Sequence, residues 1–285
     1  MGKQRKKKRK QKQQKRPKRR SPSQAKRADI YALYQESVQD PPADVDLVDR
    51  VFKSHFGRHP DTLREDFCGT AAMACSFVER RSGNRAWGID LDPEPLAWGR
   101  EHNLAALSDE QRSRITLIQG DVLDVEHGPI DVTVAFNFSY FIFKQRSQLL
   151  LYFEKSRARL RDEGIFVLDL YGGADAQRTL TETREHDDFD YVWDQDVFDP
   201  IQHRAVNYIH FEFPDGSRLN RAFSYDWRLW SIPELRDLLT EAGFSKVETY
   251  WEQTDSKTGE GNGIYYRATQ ALDDPAWVSY MVALR

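Results

Sequence analysis

Residues 62–92 constrain the fold more than any other stretch of this chain. Thr62-Leu-Arg-Glu-Asp66 reads as a strand carrying a carboxylate, Glu65, at its end. A tight turn through Gly69 follows, and then Ala71, Ala74, Cys75 and Val78 recur at the one-face spacing of a helix. A second strand, Arg85 to Ile89, ends in another acid, Asp90. Strand, glycine turn, helix and acid-ended strand make the half-fold that seats a nucleoside at the carboxyl edge of a sheet. The glycine lets a ligand approach the backbone closely, and Asp90 can accept from both hydroxyls of a ribose.

The turn also selects among nucleosides. A dinucleotide fingerprint, G-x-G-x-x-G, uses helix amides to take up a pyrophosphate. Here only Gly69 is present, Phe67 and Ala71 stand where further glycines would be, and the carboxylate before the turn would repel a pyrophosphate. The same carboxylate suits a cofactor that carries an amine and a sulfonium. On these residues the chain resembles the class I S-adenosylmethionine (SAM) dependent methyltransferases. Their first motif is an acidic residue followed by a Gly-Cys-Gly-Thr-Gly-like turn, matched by Glu65 and by Cys68-Gly69-Thr70-Ala71. A domain of the same α/β class with no cofactor, and a nicotinamide-dependent oxidoreductase, are the rival readings.

The downstream order agrees with the resemblance. Ile115 to Gln119 reads as a third strand followed by Gly120-Asp121-Val122, Ile130 to Phe136 as a fourth, and Gly164 to Leu170 as a fifth. Lys246 to Trp251 reads as a sixth, and Trp277 to Leu284 as a seventh that the resemblance makes antiparallel. The resemblance thus implies an α/β fold, a Rossmann-like doubly wound sheet of seven strands with an inserted antiparallel β-sheet. It implies SAM as cofactor, bound by Glu65, Cys68, Gly69, Thr70, Asp90, Leu91, Asp121, Val122 and Asn137. Within the family the residue matching Asp121 accepts from the adenine amino group, and the next amide, Val122, meets a ring nitrogen.

Methyl transfer is an in-line displacement that needs alignment, exclusion of water and, for some acceptors, a proton acceptor. Asn137-Phe-Ser-Tyr140 follows the fourth strand and faintly resembles the Asn-Pro-Pro-Tyr motif of methyltransferases acting on exocyclic amines, without its prolines. Asn137 and Tyr140 are therefore the catalytic candidates. Residues 189–230 hold 11 aromatics in 42 positions, against 12% aromatic for the whole chain, which marks an inserted sheet built from rings. Its strands read as 189–193, 205–213 and 221–230, with a Pro214-Asp-Gly-Ser217 turn. Tyr140, Tyr225, Trp227 and Arg228 are the candidates for contact with substrate. The rings either line the site, where they would exclude water and attract cations, or fill a core or a homodimer contact. His210 is a candidate base, and the loop 254–263 reads as a flap carrying Tyr265 or Tyr266, or as a plain surface excursion. Architecturally such an insertion resembles small-molecule N-methyltransferases, including those acting on amino sugars.

Charge is divided sharply. The first 27 residues hold 15 of the 42 Lys and Arg and no acid, so all 45 Asp and Glu fall in the remainder against 27 bases. The body carries a formal −18 behind an overall −3. Residues 1–27 lack apolar anchors and read as a disordered polybasic tail, either an electrostatic handle for RNA or another polyanion or a solubilising segment. Residues 28–60 read as helical; the resemblance makes them a lid, with Tyr31, Tyr34 and Gln35 either closing over the cofactor or packing on the core, and makes 61–285 the methyltransferase domain with its insertion at about 175–230. No apolar run reaches the roughly 18 residues of a membrane span. The two cysteines, Cys68 and Cys75, form neither a disulfide framework nor a metal site. A cytoplasmic protein is expected, or a nuclear one in a eukaryote. The expected activity is transfer of a methyl group to a small molecule, at nitrogen in preference to oxygen. An RNA or protein methyltransferase recruited by the tail and a non-catalytic SAM-binding scaffold are the alternatives.

Overall fold

The central strands are buried on both faces, as parallel strands covered by helices must be. All five residues of β1 (Thr62–Asp66) and all six of β4 (Ile130–Ala135) are buried. The computed structural model describes residues 22–254 and 261–285. Before β1 come a helical turn α1 (Gln24–Arg27) and helices α2 (Ile30–Val38) and α3 (Pro41–Phe56). The alternation continues with α4 (Ala72–Arg80), β2 (Arg85–Asp90), α5 (Pro93–Gly99), the short α6 (Asp109–Arg112), β3 (Ile115–Gln119), β4, α7 (Arg146–Arg159) and β5 (Leu160–Gly172). Four strands, β6 (Leu180–Glu185), β7 (Asp190–Asp199), β8 (Arg204–Glu212) and β9 (Arg218–Arg228), follow as the insertion. The chain ends with α8 (Ile232–Glu241), β10 (Lys246–Thr254), β11 (Gly261–Ala268) and β12 (Trp277–Leu284).

The main sheet has the order β11-β10-β12-β5-β4-β1-β2-β3. The chain runs outward from β1 through β2 to β3, then returns to β4 on the other side of β1. That reversal opens a crevice at the carboxyl ends of β1 and β4, where ligands bind in open α/β sheets. Strand β12 pairs antiparallel with both β5 and β10, as expected. The sheet has eight strands rather than seven. The segment read as a flap becomes in part β11, antiparallel to β10, with Tyr266 opposite Trp251 and Tyr265 opposite Glu252. The flap's residues 255–260 lie outside the described residues.

Helices α3 and α4 cover one face of the sheet through Val48, Phe52, Phe77 and Val78. Helices α7 and α8 cover the other through Leu149, Phe153, Leu235 and Leu239, in a core that extends to Trp227 and Leu229 of the insertion. Sheet β6-β7-β8-β9 is antiparallel throughout and packs a third cluster, Phe189, Tyr191, Ile209 and Phe211, toward Leu33 and Tyr34 of α2. Among the described residues no helix is long and apolar enough to cross a membrane.

Two features here lay outside the sequence reading. Residues 24–27, read with the basic tail, form the helical turn α1. The Gln24 and Ala25 amides donate to Asp215 Oδ2 and Ser217 Oγ at 2.8 and 3.0 Å, and Asp215 N donates back to Gln24 Oε1 at 3.0 Å, so α1 docks on the β8–β9 turn. The second is a buried ion pair. Arg64 Nε donates to Asp66 Oδ1 at 2.7 Å and Tyr152 donates to Asp66 Oδ2 at 3.0 Å, with both charged side chains sealed from solvent. Arg64 also donates to the Val125 and Val122 carbonyls, and Arg159 Nη1 to Val122 at 2.7 Å. A pair buried this deeply needs all its donors matched. Here the matching fixes the β3–β4 connection against β1.

Candidate functional site

The turn after β1 keeps a glycine-like path without the glycines. Phe67, Gly69 and Ala71 all have positive φ, 58°, 52° and 58°. For Phe67 and Ala71 that left-handed geometry is strained, the kind of cost that persists only where surroundings enforce it. The enforcement is visible. Cys68 N donates to Ile89 O at 2.9 Å, Gly69 N to Asp90 Oδ2 at 2.7 Å, and the Phe67 ring packs edge-on to Tyr152. Thr70 is held three ways. Gln35 Nε2 donates to its Oγ1 at 2.6 Å, Asn103 Nδ2 donates to its carbonyl at 2.9 Å, and Gly99 lies so close that a Cβ there would overlap that carbonyl. Asn103 and Gly99 were not foreseen; Gly99 and the π-helical turn Arg100–Leu104 after it leave no sequence signal beyond one glycine in a helix.

The residues expected to bind cofactor gather at the carboxyl ends of β1 to β4. Glu65 is buried against the start of α4, its Oε2 accepting from Ala74 N at 2.9 Å. Burial first, then the neighbouring Asp44 and Asp90, push its carboxyl up to about 8. Asp90 accepts from Gly69 N and, through Oδ1, from Asp92 N at 2.9 Å, and each oxygen retains a second lone pair. Its carboxyl is raised, chiefly by burial. Leu91 stands 68% exposed at the rim. Asp121, just past the end of β3, is exposed and accepts from Leu123 N at 2.8 Å, and Val122 is buried. The Cys68 side chain lies under Gly88, where a Cβ would come within 2.9 Å of its sulfur.

Beyond β4 the strain recurs, with Asn137 and Phe138 both near +57° in φ. Their amides donate to the two oxygens of Asp169 at 2.7 and 2.9 Å, and burial raises that carboxyl to about 8. Asn137 thereby faces a cleft of about 580 Å³ lined by α2 and α3 on one side and the inserted sheet on the other. Eleven rings line it, among them Tyr34, Phe138, Tyr171, Trp193, Tyr225 and Trp227. Tyr265 and Tyr280 complete the wall, stacked edge-to-face with centroids 4.7 Å apart. Tyr265 was foreseen as a flap residue, whereas Tyr266 points outward and is 48% exposed. Asp44, which accepts the Tyr280 hydroxyl at 2.8 Å, was missed.

Two candidates do not reach this cavity. Tyr140 is fully buried and donates its hydroxyl to the Asp169 carbonyl at 2.8 Å. The two left-handed residues before it swing the 3₁₀ turn Ser139–Ile142 inward, so Tyr140 supports the strand end and touches no ligand space. Arg228 faces the opposite side of the inserted sheet, paired with Glu234 at 3.1 Å and stacked on Trp230 at 3.7 Å, in a separate surface cleft with Lys144 and Arg204. His210 is held between Asp194 and the Arg221 amide, a structural placement.

Helix α2 bridges both halves of the site. Trp98 of α5 donates to Asp29 Oδ2 at 2.6 Å, and Tyr34 packs on Phe223 at 4.7 Å. Removing the Gln35 latch should loosen this closure. Gln35→Ala is expected to weaken cofactor affinity about 5-fold, the value of one neutral hydrogen bond near 1 kcal/mol. Isothermal calorimetry with S-adenosylhomocysteine (SAH) measures it, and unchanged affinity would detach α2 from the site.

No family model and no curated protein matches the chain. Solved structures do match it in fold. A SAM-dependent methyltransferase from Clostridium acetobutylicum superposes with a TM-score of 0.61 at 15% identity, over 90% of this chain and 97% of that one. SAM-bound CalS10, an amino pentose methyltransferase from Micromonospora echinaspora, gives 0.62 at 13% identity over 90% and 98%. The sugar N-methyltransferase KedS8 from Streptoalloteichus sp gives 0.60 at 15% identity over 90% and 93%. Over nine-tenths of the chain the fold is that of these structures.

Proposed function

We propose that this chain, which has the fold of the class I SAM-dependent methyltransferases, transfers the methyl group of SAM to a small molecule at nitrogen. One observation carries the reading. Glu65 ends β1 at the glycine turn, its Oε2 taken by Ala74 N, and its carboxyl is within electrostatic reach of both Asp90, which holds the turn, and Asp44, which lines the cavity. A nucleoside gripped by Asp90 and the Gly69 turn would direct its methionine portion past Glu65 into the chamber. There the rings would exclude water and favour the sulfonium electrostatically. Adenine would lie between exposed Leu91 and the Asp121-Val122 backbone that Arg64 and Arg159 hold in place. SAM, when bound, supplies the electrophilic methyl group; the protein's own part is alignment, enclosure and removal of a proton.

The preference for nitrogen and for a small acceptor draws on the sugar N-methyltransferase and amino pentose methyltransferase among the matching folds. A cavity of about 580 Å³ also favours a small acceptor over a polymer. The rival, an RNA or protein acceptor recruited through residues 3–27, rests on the basic tail, of which residues 1–21 lie outside the described residues. Incubation with methyl-labelled SAM and fractionated extract decides between them. Label is expected in metabolites, and equally in a variant lacking residues 1–21. Label confined to RNA or protein, and lost with the tail, would reverse the assignment.

A further inference from the structure

The charge of the chamber narrows the acceptor. Its lining includes Asp40, Asp44, Asp169, Asp175, Glu182 and Glu252, against one guanidinium, Arg184. Arg184 lies on the exposed strand β6, over the Tyr191 ring at 5.8 Å. A phosphorylated or carboxylated acceptor would find one lining cation to answer it, whereas ring faces attract an ammonium, and an arriving ammonium favours the ionised form of the raised Asp44 and Asp169 carboxyls.

The carboxylates are not equivalent. Asp175 is paired with Arg178 at 2.7 Å, Glu252 accepts from Gly263 N at 2.7 Å, and Asp169 takes the Asn137 and Phe138 amides. Asp44 accepts the Tyr280 hydroxyl on Oδ1, and among the described residues Oδ2 has no protein donor. The groups around Asp44 are Asp40 on its own helix, Tyr280 of β12, Tyr265 of β11, Asp169 of β5 and Glu65 of β1. None is a cation. Burial accordingly pushes the Asp44 carboxyl up to about 7, which makes it a better proton acceptor than an ordinary aspartate.

Resting on the methyltransferase reading above, we infer that the acceptor is a small amine that enters as a cation and carries no phosphate, with Asp44 the carboxylate that holds its nitrogen and takes its proton. In the step, the ammonium gives one N–H proton to the Asp44 carboxylate, which frees the nitrogen lone pair. That pair attacks the methyl carbon as the carbon–sulfur bond breaks, and the bonding electrons stay on sulfur. The sulfonium becomes a thioether and the product leaves as the methylated ammonium. Asp44 then returns its proton to solvent. Tyr280 positions the carboxylate through its hydroxyl.

Three probes of matched shape test this on SAH-saturated protein by calorimetry: choline, its neutral isostere 3,3-dimethylbutan-1-ol, and phosphocholine. Choline is expected to bind at least about 10-fold more tightly than either of the others. Asp44→Asn is expected to weaken choline about 10-fold while still binding SAH, and Asp44→Glu to recover part of the loss. Failure of SAH itself to bind overturns the methyltransferase reading and this inference with it. SAH binding with choline no tighter than the neutral alcohol, or with phosphocholine as tight as choline, overturns the inference alone. An Asp44→Asn variant that keeps full choline affinity removes Asp44 from the role.

Discussion

Asp90→Ala is expected to lower affinity for SAM and SAH on the order of 100-fold, more than any other single change among the cofactor residues. Asp90 accepts from Gly69 N and Asp92 N, so it sets the position of the turn at the strand end where the ribose is proposed to lie. Hydrogen bonds to a charged acceptor are worth about 1.5–3 kcal/mol each. Loss of two ribose hydroxyl contacts, partly offset by water entering the gap, gives about 3 kcal/mol, which is about 100-fold. Asp90→Asn keeps the shape and one acceptor and should lose only about 10-fold. The Asp90→Ala protein should stay folded, because strand β2 is held by β1 and β3 along its whole length. Calorimetry with SAH on both variants provides the check. Wild-type affinity in Asp90→Ala would displace the ribose from this strand end.

Which parts of the site were legible in the sequence follows from how local each signal is. Glu65, Gly69 and Asp90 announce themselves because a strand end, a glycine turn and an acid two elements later are all nearest-neighbour features. The apolar repeat of Ala71, Ala74, Cys75 and Val78 is likewise local, and all four are buried. Tyr140 was misread because two left-handed residues, Asn137 and Phe138, turn the chain just before it, and neither is a glycine that would have advertised the turn. Arg228 stood as a substrate candidate against the rule of the strand itself, and pairs with Glu234 instead. Alternation sends Tyr225 and Trp227 to one face, so the residue between successive ring positions must face away. Asp44 was invisible for a different reason. A carboxylate in the first turn of a helix ordinarily complements the helix dipole, and only the return of β12 236 residues later brings Tyr280 to it. The eighth strand was hidden by glycines at 259, 261 and 263, which read as a loop although Gly263 alone of the described pair takes a positive φ.

The acids of the crevice also make the protein's stability depend on pH in an uncommon direction. Glu65 and Asp169 are both buried and both raised to about 8. Between about pH 4.5 and 8 the folded protein therefore holds protons that the unfolded chain has released. Stability from these groups is full below the unfolded values and is lost as pH rises through the folded ones. His127, lowered by burial and by Arg64, works in the opposite sense, but its transition lies below pH 6.5. The strongly depressed carboxyls, Glu248 and Asp226 at about 2, change only in acid. The ligand-free protein should therefore melt lower at pH 8.5 than at pH 6. One pKa unit corresponds to about 1.4 kcal/mol, so the two carboxyls together give a loss on the order of 5 kcal/mol and about 10 °C in melting temperature. A cofactor that brings an ammonium and a sulfonium reverses the balance, because positive charge beside Glu65 favours its ionised form. Binding at pH 7 should then release protons, seen as an enthalpy that varies with the ionisation heat of the buffer, and SAM should raise the melting temperature more at pH 8.5 than at pH 6. SAH, which lacks the sulfonium charge, should release fewer protons than SAM. Equal melting temperatures at the two pH values without ligand, together with buffer-independent binding enthalpy, would show that Glu65 and Asp169 are already ionised before the cofactor binds.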